Sequence, residues 1–322
     1  MTTPPATEQG AAPKKPRHDL FGRKNRIDDL ADSGVSLSTD AWRRLRRNPV
    51  FLLGAAIIAL FVLAAIFANL LAPQDPSVTM LADQVSRARN AIPPAQPGHP
   101  LGGDQFGYDL LSRLIVGSRQ TLLVGVLATL IGLAGGLVLG TLAGALGGWI
   151  DTLVMRVVDV LLSVPSLLLA ISISALFSQG SLYTVIVAVA VVQIPVFARL
   201  LRGSLLAQRD SDHVLAARSL GIKPGPIVFR HMLPNAISPV IVQSTLVLAT
   251  SIIDAAALSF LGVGNPDRSR PEWGQMLGEA QGFIDSHPSL AFYPAGCIVL
   301  VALGFTLVGE SLREALDPKN RR

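Results

Sequence analysis

Six long apolar segments constrain this chain more than any other feature of its sequence. They cover residues 51–71, 121–148, about 157–177, 182–198, 236–261 and 290–309, and only Asp159 and Asp254 place a charge within them. A helix needs about 20 apolar residues to cross a bilayer, whereas an apolar helix in a soluble core is usually shorter. A content of 50% hydrophobic and 15% charged residues agrees with this assignment. The sequence therefore predicts an all-α, polytopic membrane protein with six transmembrane helices.

The distribution of lysine and arginine predicts the orientation. Ten of these residues precede the first span, and the 202–235 loop carries five, whereas the loops at 72–118 and 262–289 hold five between them, against eight acidic residues. Short loops rich in lysine and arginine remain in the cytoplasm. Both termini and the 202–235 loop are therefore expected to be cytoplasmic.

The same patterns divide the chain into five parts. Residues 1–37 are polar and rich in proline, which predicts a disordered cytoplasmic tail. Residues 38–71 form an amphipathic elbow and the first span, and the basic elbow around Trp42 favours anionic lipid. An external loop at 72–118, a helical core at 119–310 and a cytoplasmic tail at 311–322 follow. No cleavable signal peptide is expected, because the first apolar segment begins only at residue 51.

Glycine recurs every four residues in the second span, at positions 132, 136, 140, 144 and 148. Small residues at this spacing form one ridge, along which a neighbouring helix can approach closely. The ridge therefore predicts a packing face, with a substrate groove as the alternative.

The 202–235 loop contains the stretch AARSLGIKPGPIVFRHMLPN. Ser211 or Asp212 is a suitable N-cap, Gly221 a suitable C′ residue, and Pro226 suits the first turn of a second helix that Pro234 would end. The apolar residues of the first helix are expected to contact something outside the membrane. The pattern favours a docking surface over an inert linker.

Five residues of this loop resemble the EAA loop of ABC importer permeases: Ala216, Ala217, Gly221, Leu233 and Pro234. In that family the loop fits a cleft on the partner ATPase. The resemblance implies ATPase coupling for Asp212, Leu215, Ala216, Ala217, Gly221, Ile222, Lys223, Leu233 and Pro234. Leu215 stands where the family has glutamate, so the contact there is expected to be apolar or to come from Asp212.

Further stretches resemble the C-type permease subunit of dipeptide and oligopeptide importers, over roughly residues 38–318. They are RLRRNP, LLAPQDP, HPLGGDQFGYDLLSRL, MRVVDVLLSVPSLLLA, FRHMLPNAISPVIV, LSFLGVG and PEWGQML. Gly103 and Tyr108 stand where the family is expected to have threonine and arginine.

The resemblance implies the type I fold of ABC importer permeases in a prokaryotic plasma membrane, and a cargo of dipeptides or short oligopeptides. The implied partners are a second homologous permease, two ATPase subunits or domains and an extracytoplasmic binding protein. ATP and Mg would then be bound by the ATPases, with no cofactor and no nucleic acid on this chain. Nickel, glutathione or another small solute is the alternative cargo.

The sequence lacks the GxxxxGK[ST], HExxH and GxSxG motifs, and its five histidines do not show metal-ligand spacing. A non-catalytic subunit without a metal site is therefore expected. A membrane enzyme and a secondary transporter are weaker hypotheses, because neither a nucleophile set nor an internal repeat is visible.

Polar residues inside the spans are candidates for the translocation path, because such residues are costly in a membrane. The candidates are Gln193, Gln243, Thr250, Ser251 and Asp254. Asp254 would either face a water-filled path that receives the amino terminus of a peptide or pair with another helix or with the second permease. Asp159 is expected to pair with Arg156, three residues earlier.

Two stretches of the external loops, DLLSRLIV and PEWGQMLGEAQGF, have apolar residues at helical spacing and are expected to lie on the outer surface. Asp267 and Trp273 are expected to be exposed there as a rim for the binding protein. Pro165, Pro195 and Pro239 are expected to interrupt spans three, four and five.

Overall fold

The computed structural model describes residues 42–86 and 91–316. The predicted disordered tail at 1–37 lies outside the described residues, as do positions 317–322 of the predicted C-terminal tail.

Five helices of the described chain are long and apolar enough to cross a membrane, and a bent pair of helices raises the number to six if the pair forms one span. In chain order the helices are α1 (Pro49–Ile66), α2 (Leu110–Leu146), α3 (Gly148–Ser163), α4 (Ser166–Ser174), α5 (Leu182–Gln208), α6 (Asp212–Ser219), α7 (Ser238–Phe260), α8 (Trp273–Glu279) and α9 (Ser289–Leu316). Shorter helical turns lie at Ala68–Leu71, Ala82–Gln84 and Gln281–Phe283. A further helical segment, described below, occupies 224–236. The bent pair is α3 and α4, and α6 and α8 are too short to span.

The α3–α4 pair bends by 99° between Ser163 and Ser166. Val164 adopts an extended conformation, which is the preference of a residue before proline, and Pro165 cannot donate a hydrogen bond to continue α3. The expected interruption at Pro165 is confirmed. The expectation for Pro195 is wrong, because this residue lies inside an uninterrupted α5. The expectation for Pro239 is also wrong, because this residue lies in the first turn of α7, where its missing N–H costs nothing.

Helices α2 and α5 pack along the glycine ridge, as its spacing predicts. A Cβ atom at Gly132 would lie 2.9 Å from Gln193 Cβ, and one at Gly140 would lie 2.8 Å from the Ala198 carbonyl oxygen. The prediction is wrong for Gly148, which has a positive φ at the start of α3 and has nothing within 4 Å of its Cβ position.

Helix α2 begins at Leu110, where the Asp109 side chain caps it by accepting a hydrogen bond from the Ser112 N–H. The stretch DLLSRLIV forms the first turns of this 37-residue helix. The expectation that it lies on the surface as a separate helix is therefore wrong, since the hydrogen-bond pattern runs on into the apolar span.

The remaining spans enclose this central pair. Helix α1 packs on α9 where Gly54 meets Gly304, and α7 packs against α2, α5 and α9. The described parts of the segment 72–109, residues 72–86 and 91–109, lie with α8 at one end of the bundle, here called the α8 end. Helix α6 and the segment 224–236 lie at the other, the α6 end.

Candidate functional site

Helix α6 is a short helix that directly follows α5 and ends in a regular C-cap. Gly221 has φ +74° as its C′ residue, and its N–H donates to the Arg218 carbonyl while the Ile222 N–H donates to the Ala217 carbonyl. These two bonds define a Schellman motif, which requires a residue that tolerates positive φ. The prediction of Gly221 as the C′ residue is confirmed.

One face of α6 is fixed to the bundle. Val214 is fully buried and Ala217 nearly so, in a cluster that includes Leu205 of α5 together with Ile227 and Met232. A displacement of α6 is therefore passed directly to α5 and to the segment 224–236, because close-packed side chains transmit strain.

The other face of α6 is open to solvent. Leu215 is 45% exposed and Leu220 is 80% exposed. Of the remaining residues predicted to couple, Asp212, Ala216, Gly221, Lys223 and Pro234 are exposed, whereas Ile222 and Leu233 are partly buried. Of the residues predicted to couple, Leu215 is therefore exposed whereas Ala217 faces the bundle, and Leu220, which is not among the predicted residues, is exposed at the end of the helix.

The segment after α6 is continuous and helical, with a π-helix at Ile227–Met232 between short α-helical turns at Pro224–Pro226 and Leu233–Ala236. The expectation that Pro234 ends this helix is wrong. A proline crowds the carbonyl four residues earlier, here that of Arg230, and the wider π turn lies at that position.

Two ion pairs connect α3 to α5 near the α6 end. Arg202 donates to both carboxylate oxygens of Asp151, and Arg199 pairs with Asp159. The expected pair of Asp159 with Arg156 is therefore wrong. The sequence offers a weak signal in retrospect, because Arg199 and Arg202 lie three residues apart and so share one side of α5.

A cavity of about 660 Å³ lies between α5 and α7 on this side of the bundle. It is lined by Leu162, Val196, Arg199, Leu200, Gly203, Ser204, Ala207 and Gln243. Of the predicted path residues, only Gln243 borders this cavity.

The other predicted path residues divide into three groups. Gln193 and Asp254 lie together, with the Gln193 Nε2 to Asp254 Oδ2 distance at 3.4 Å. Ser251 is fully buried between α7 and α2, where its hydroxyl accepts from Thr129, so it does not border open space here. Thr250 is exposed, and its hydroxyl donates to the Val247 carbonyl of its own helix.

At the α8 end the sequence analysis missed a buried arginine. The Arg113 side chain is fully buried, its Nη1 donates to the Arg268 carbonyl at 2.8 Å, and Asp104 and Glu279 lie at 3.4 and 3.9 Å. Glu279 also accepts a hydrogen bond from Arg268. These charged groups link α2, the segment 72–109 and α8. Because they are far apart in the sequence, no local pattern predicts that they lie together.

The two departures from the resembled family lie beside this cluster. The Arg113 guanidinium stacks on the Tyr108 ring, 4.4 Å from its centroid. A Cβ atom at Gly103 would lie 2.8 Å from Pro93 Cγ and 3.1 Å from Leu81 Cδ1, so the local packing requires glycine.

Two acids at this end have raised pKa values. Burial raises the pKa of Asp104, and this effect outweighs the lowering by Arg113. Burial also raises the pKa of Glu272, which caps α8 by accepting from the Gly274 N–H. Both carboxyls therefore bind protons more readily than an exposed acid.

The expectation that Trp273 is exposed is wrong. Its ring is fully buried against Phe61, and its indole N–H donates to the Leu114 carbonyl at 2.9 Å. The ring fits there because Gly117 has no side chain. A Cβ atom built on Gly117 would lie only 3.0 Å from the ring of Trp273. Asp267 is exposed, and its carboxylate accepts from the Ser269 N–H and hydroxyl.

Comparison with known proteins agrees with this geometry. The family described as "binding-protein-dependent transport system inner membrane component" matches residues 136–322, which include α5, α6 and α7. The chain belongs to this family. The N-terminal transmembrane domain of oligopeptide transport permease C matches residues 36–94.

Similar curated members of the family are also permeases. A dipeptide transport system permease protein of Alkalihalophilus pseudofirmus is 41% identical over 89% of this chain and 91% of its own length. A glutathione transport system permease protein of Pectobacterium atrosepticum is 39% identical over 86% and 90%, respectively. The glutathione transport system permease protein of Escherichia coli O157:H7 is 42% identical over 86% of this chain and 89% of its own length.

The fold is that of an ABC importer permease. A solved structure of the MetNI methionine ABC transporter in inward-facing conformations matches with a TM-score of 0.54 and 21% identity, over 65% of this chain and 98% of that one. At this identity the likeness shows the fold alone. This member of the permease family is therefore an all-α, multi-pass membrane protein.

Proposed function

We propose that this chain is the non-catalytic permease subunit of an ATP-driven importer of dipeptides or short oligopeptides. The name of one relative, a dipeptide permease, supports this cargo. The names of two others, glutathione permeases, support the alternative, and glutathione, nickel or another small solute is what uptake measurements must exclude.

The two-faced helix α6 is the observation that carries the mechanism. Its buried face, at Val214 and Ala217, holds it to α5, while Leu215 and Leu220 face outward. An ATPase that grips the outer face would move α5 with it, and α5 borders the cavity at Leu200, Gly203 and Ala207. Closure of two ATPases on ATP would thereby change access to the cavity. Because Leu215 replaces the family's glutamate, the grip on this helix is largely apolar.

The proposed arrangement places the α6 end and both termini in the cytoplasm. The cavity between α5 and α7 opens beside this end, and a second homologous permease completes its wall. The α8 end then faces the binding protein, for which exposed Asp267 is a contact. The basic segment around Trp42 lies at the headgroups of membrane lipid.

The coupling role is tested by Leu215→Asp with Leu220→Asp, with Ser219→Asp as the matched control. The control adds one of the two negative charges, at a neighbouring exposed position, and removes no apolar surface. The tagged chain is extracted gently from its own membrane, and the proteins that remain bound are identified by mass spectrometry. We expect an ATPase and a second permease with the wild type and with the control, and loss of the ATPase with the double variant. A stable homodimer without an ATPase would overturn the proposal.

The cargo is tested separately, by uptake of labelled dipeptides, longer peptides, glutathione and nickel into a strain that lacks this chain. We expect dipeptide uptake to fall and to be restored by the wild-type chain. Unchanged uptake of every peptide would overturn the proposed cargo.

A further inference from the structure

Asp254 is a partly buried carboxylate in α7 without a cationic partner. Within residues 42–86 and 91–316, its side chain forms no salt bridge, and its one hydrogen bond is the long contact with Gln193. A carboxylate inside a span is costly unless a positive group or water compensates it. The position therefore calls for a positive group or water from outside the described chain.

The face of α7 that carries Asp254 is the face that borders the cavity. Asp254 follows Gln243 by eleven residues, which at about 100° per residue places the two side chains within about 20° of each other around the helix. The same spacing corresponds to about 16 Å along the axis. Since Gln243 lines the cavity, Asp254 lies further along the same line, toward the α8 end.

Helix α5 brings Gln193 to the same place by the same geometry. Gln193 precedes Leu200 by seven residues and Ala207 by fourteen, so all three lie on one side of α5, and the latter two line the cavity. Its Cβ atom is held against the ridge at Gly132. Its amide N–H groups point toward Asp254, which leaves its carbonyl oxygen as an acceptor for a ligand.

We propose that Asp254, positioned by Gln193, binds the ammonium group of the transported solute beyond the cavity, on the same side of α7 and toward the α8 end. This inference rests on the proposed function, because every unmodified dipeptide carries an α-ammonium group. An ammonium group donates three hydrogen bonds, and it supplies the positively charged partner that Asp254 lacks. Asp254 thereby determines specificity for solutes with a free amine, after the binding protein has released them.

The test uses the complete importer in proteoliposomes, with Asp254→Asn, Asp254→Glu and, as a control on the same helix, Ser244→Ala. The Ser244 hydroxyl bonds only its own helix, at the Ile241 carbonyl. The first quantity measured is the maximal rate of Ala-Ala uptake. The second comes from an assay without binding protein, in which a diazirine dipeptide labels this chain and Ala-Ala or N-acetyl-Ala-Ala is added to protect it.

We expect Asp254→Asn to lower the maximal uptake rate about ten-fold, the scale of one hydrogen bond to a charged group. The half-saturating Ala-Ala concentration, which the binding protein sets, is expected to stay constant. Ala-Ala should protect better than its acetylated form in the wild type and in Asp254→Glu, and equally well in Asp254→Asn. The control should behave as the wild type does.

Two results overturn the inference while leaving the proposed function intact. One is unchanged preference for the free amine in Asp254→Asn. The other is loss of the second permease from the complex in that variant, which would make Asp254 an ion-pair partner between subunits. If the wild-type importer takes up no dipeptide at all, the proposed function itself fails.

Discussion

Arg202 of α5 holds Asp151 of α3 with two parallel hydrogen bonds, from Nε and Nη2 to the two carboxylate oxygens, each at 2.6 Å. The pair lies close to the point where α5 ends and leads into α6. It ties the bent span to the helix that would carry the movement of the coupling segment.

We expect Arg202→Ala to lower both the uptake rate and stability, the latter by about 1–3 kcal/mol, because both bonds to a partly buried carboxylate are lost. Arg202→Lys should recover part of the loss, since lysine keeps the charge but cannot form the paired geometry. The thermal unfolding midpoint in detergent and the ATP hydrolysed per peptide transported would measure the two effects. Equal behaviour of Arg202→Ala and the wild type would contradict a coupling role for the pair.

Gly136→Ala tests the close approach of α2 and α5. The added Cβ would lie 2.9 Å from the Ile194 carbonyl oxygen, with the backbone of Ala198 also at 3.0 Å, so the helices must separate. We expect destabilisation of about 1–3 kcal/mol, typical of overpacking. Gly296→Ala in α9 is the control, because nothing lies within 4 Å of its Cβ position. Thermal unfolding of the two variants side by side would check this, and equal midpoints would contradict it.

Trp273 is expected to act through packing and not through contact with a partner. Trp273→Ala should destabilise the protein by about 3–5 kcal/mol, since a fully buried ring leaves a cavity. Trp273→Phe should cost less, because it keeps the edge contact with Phe61 and loses the hydrogen bond to Leu114. Unfolding measurements would rank the variants. A stable Trp273→Ala protein with impaired binding-protein contact would restore the rim interpretation.

Glu272 predicts a pH dependence of stability. Burial raises its pKa in the folded state above the ordinary value of 4.5, so the folded state binds more protons than the unfolded state above that pH. Stability is therefore expected to fall as the pH rises from about 4.5 through the raised folded pKa. Glu272→Gln keeps an oxygen for the Gly274 N–H and removes the titration, so its unfolding midpoint should change less over this interval.

Asp267→Asn is the control for this measurement. Hydrogen bonds from Ser269 lower the pKa of Asp267, so its contribution has the opposite sign and is lost as the pH falls. A Glu272→Gln protein that shows the full pH slope of the wild type would contradict the assignment to Glu272. Asp104 has a raised pKa as well and would then account for the slope.

Gly221→Pro is expected to uncouple ATP hydrolysis from uptake while the protein still inserts. Proline cannot adopt the φ of +74° and lacks the N–H that bonds to Arg218, so the end of α6 must unfold or turn away. Gly225→Ala is the control, since Gly225 has no positive φ and its Cβ position is open. Full transport by Gly221→Pro would count against the role of this loop.

The sequence predicts those features that depend on local periodicity. Six apolar segments locate the spans, the four-residue spacing of glycine locates the contact of α2 with α5, and Gly221 locates the end of α6. In each case one helix face or one turn contains the whole physical reason, so a single stretch of chain is sufficient.

The errors arise where the deciding contact is distant in sequence. Asp159 pairs with Arg199, 40 residues away, whereas helical spacing alone favours Arg156, three residues earlier. Trp273 is buried because Phe61 and Gly117 enclose it, and neither is close in the chain. Arg113 draws its partners from three separate segments. Composition and spacing do not carry such information.

The 99° bend between α3 and α4 has a consequence for how the protein is made in the cell. The last carbonyl groups of α3 have no following turn of the same helix to donate N–H groups to them, although the Val160 carbonyl accepts from the Ser163 hydroxyl. Within the described chain α3 buries only Val158. Lipid tails cannot hydrogen-bond these groups, so they require water or another protein surface. A newly inserted copy without its partners is therefore expected to expose these carbonyl groups to the bilayer, and its accumulation in the membrane should rise with the supply of partners.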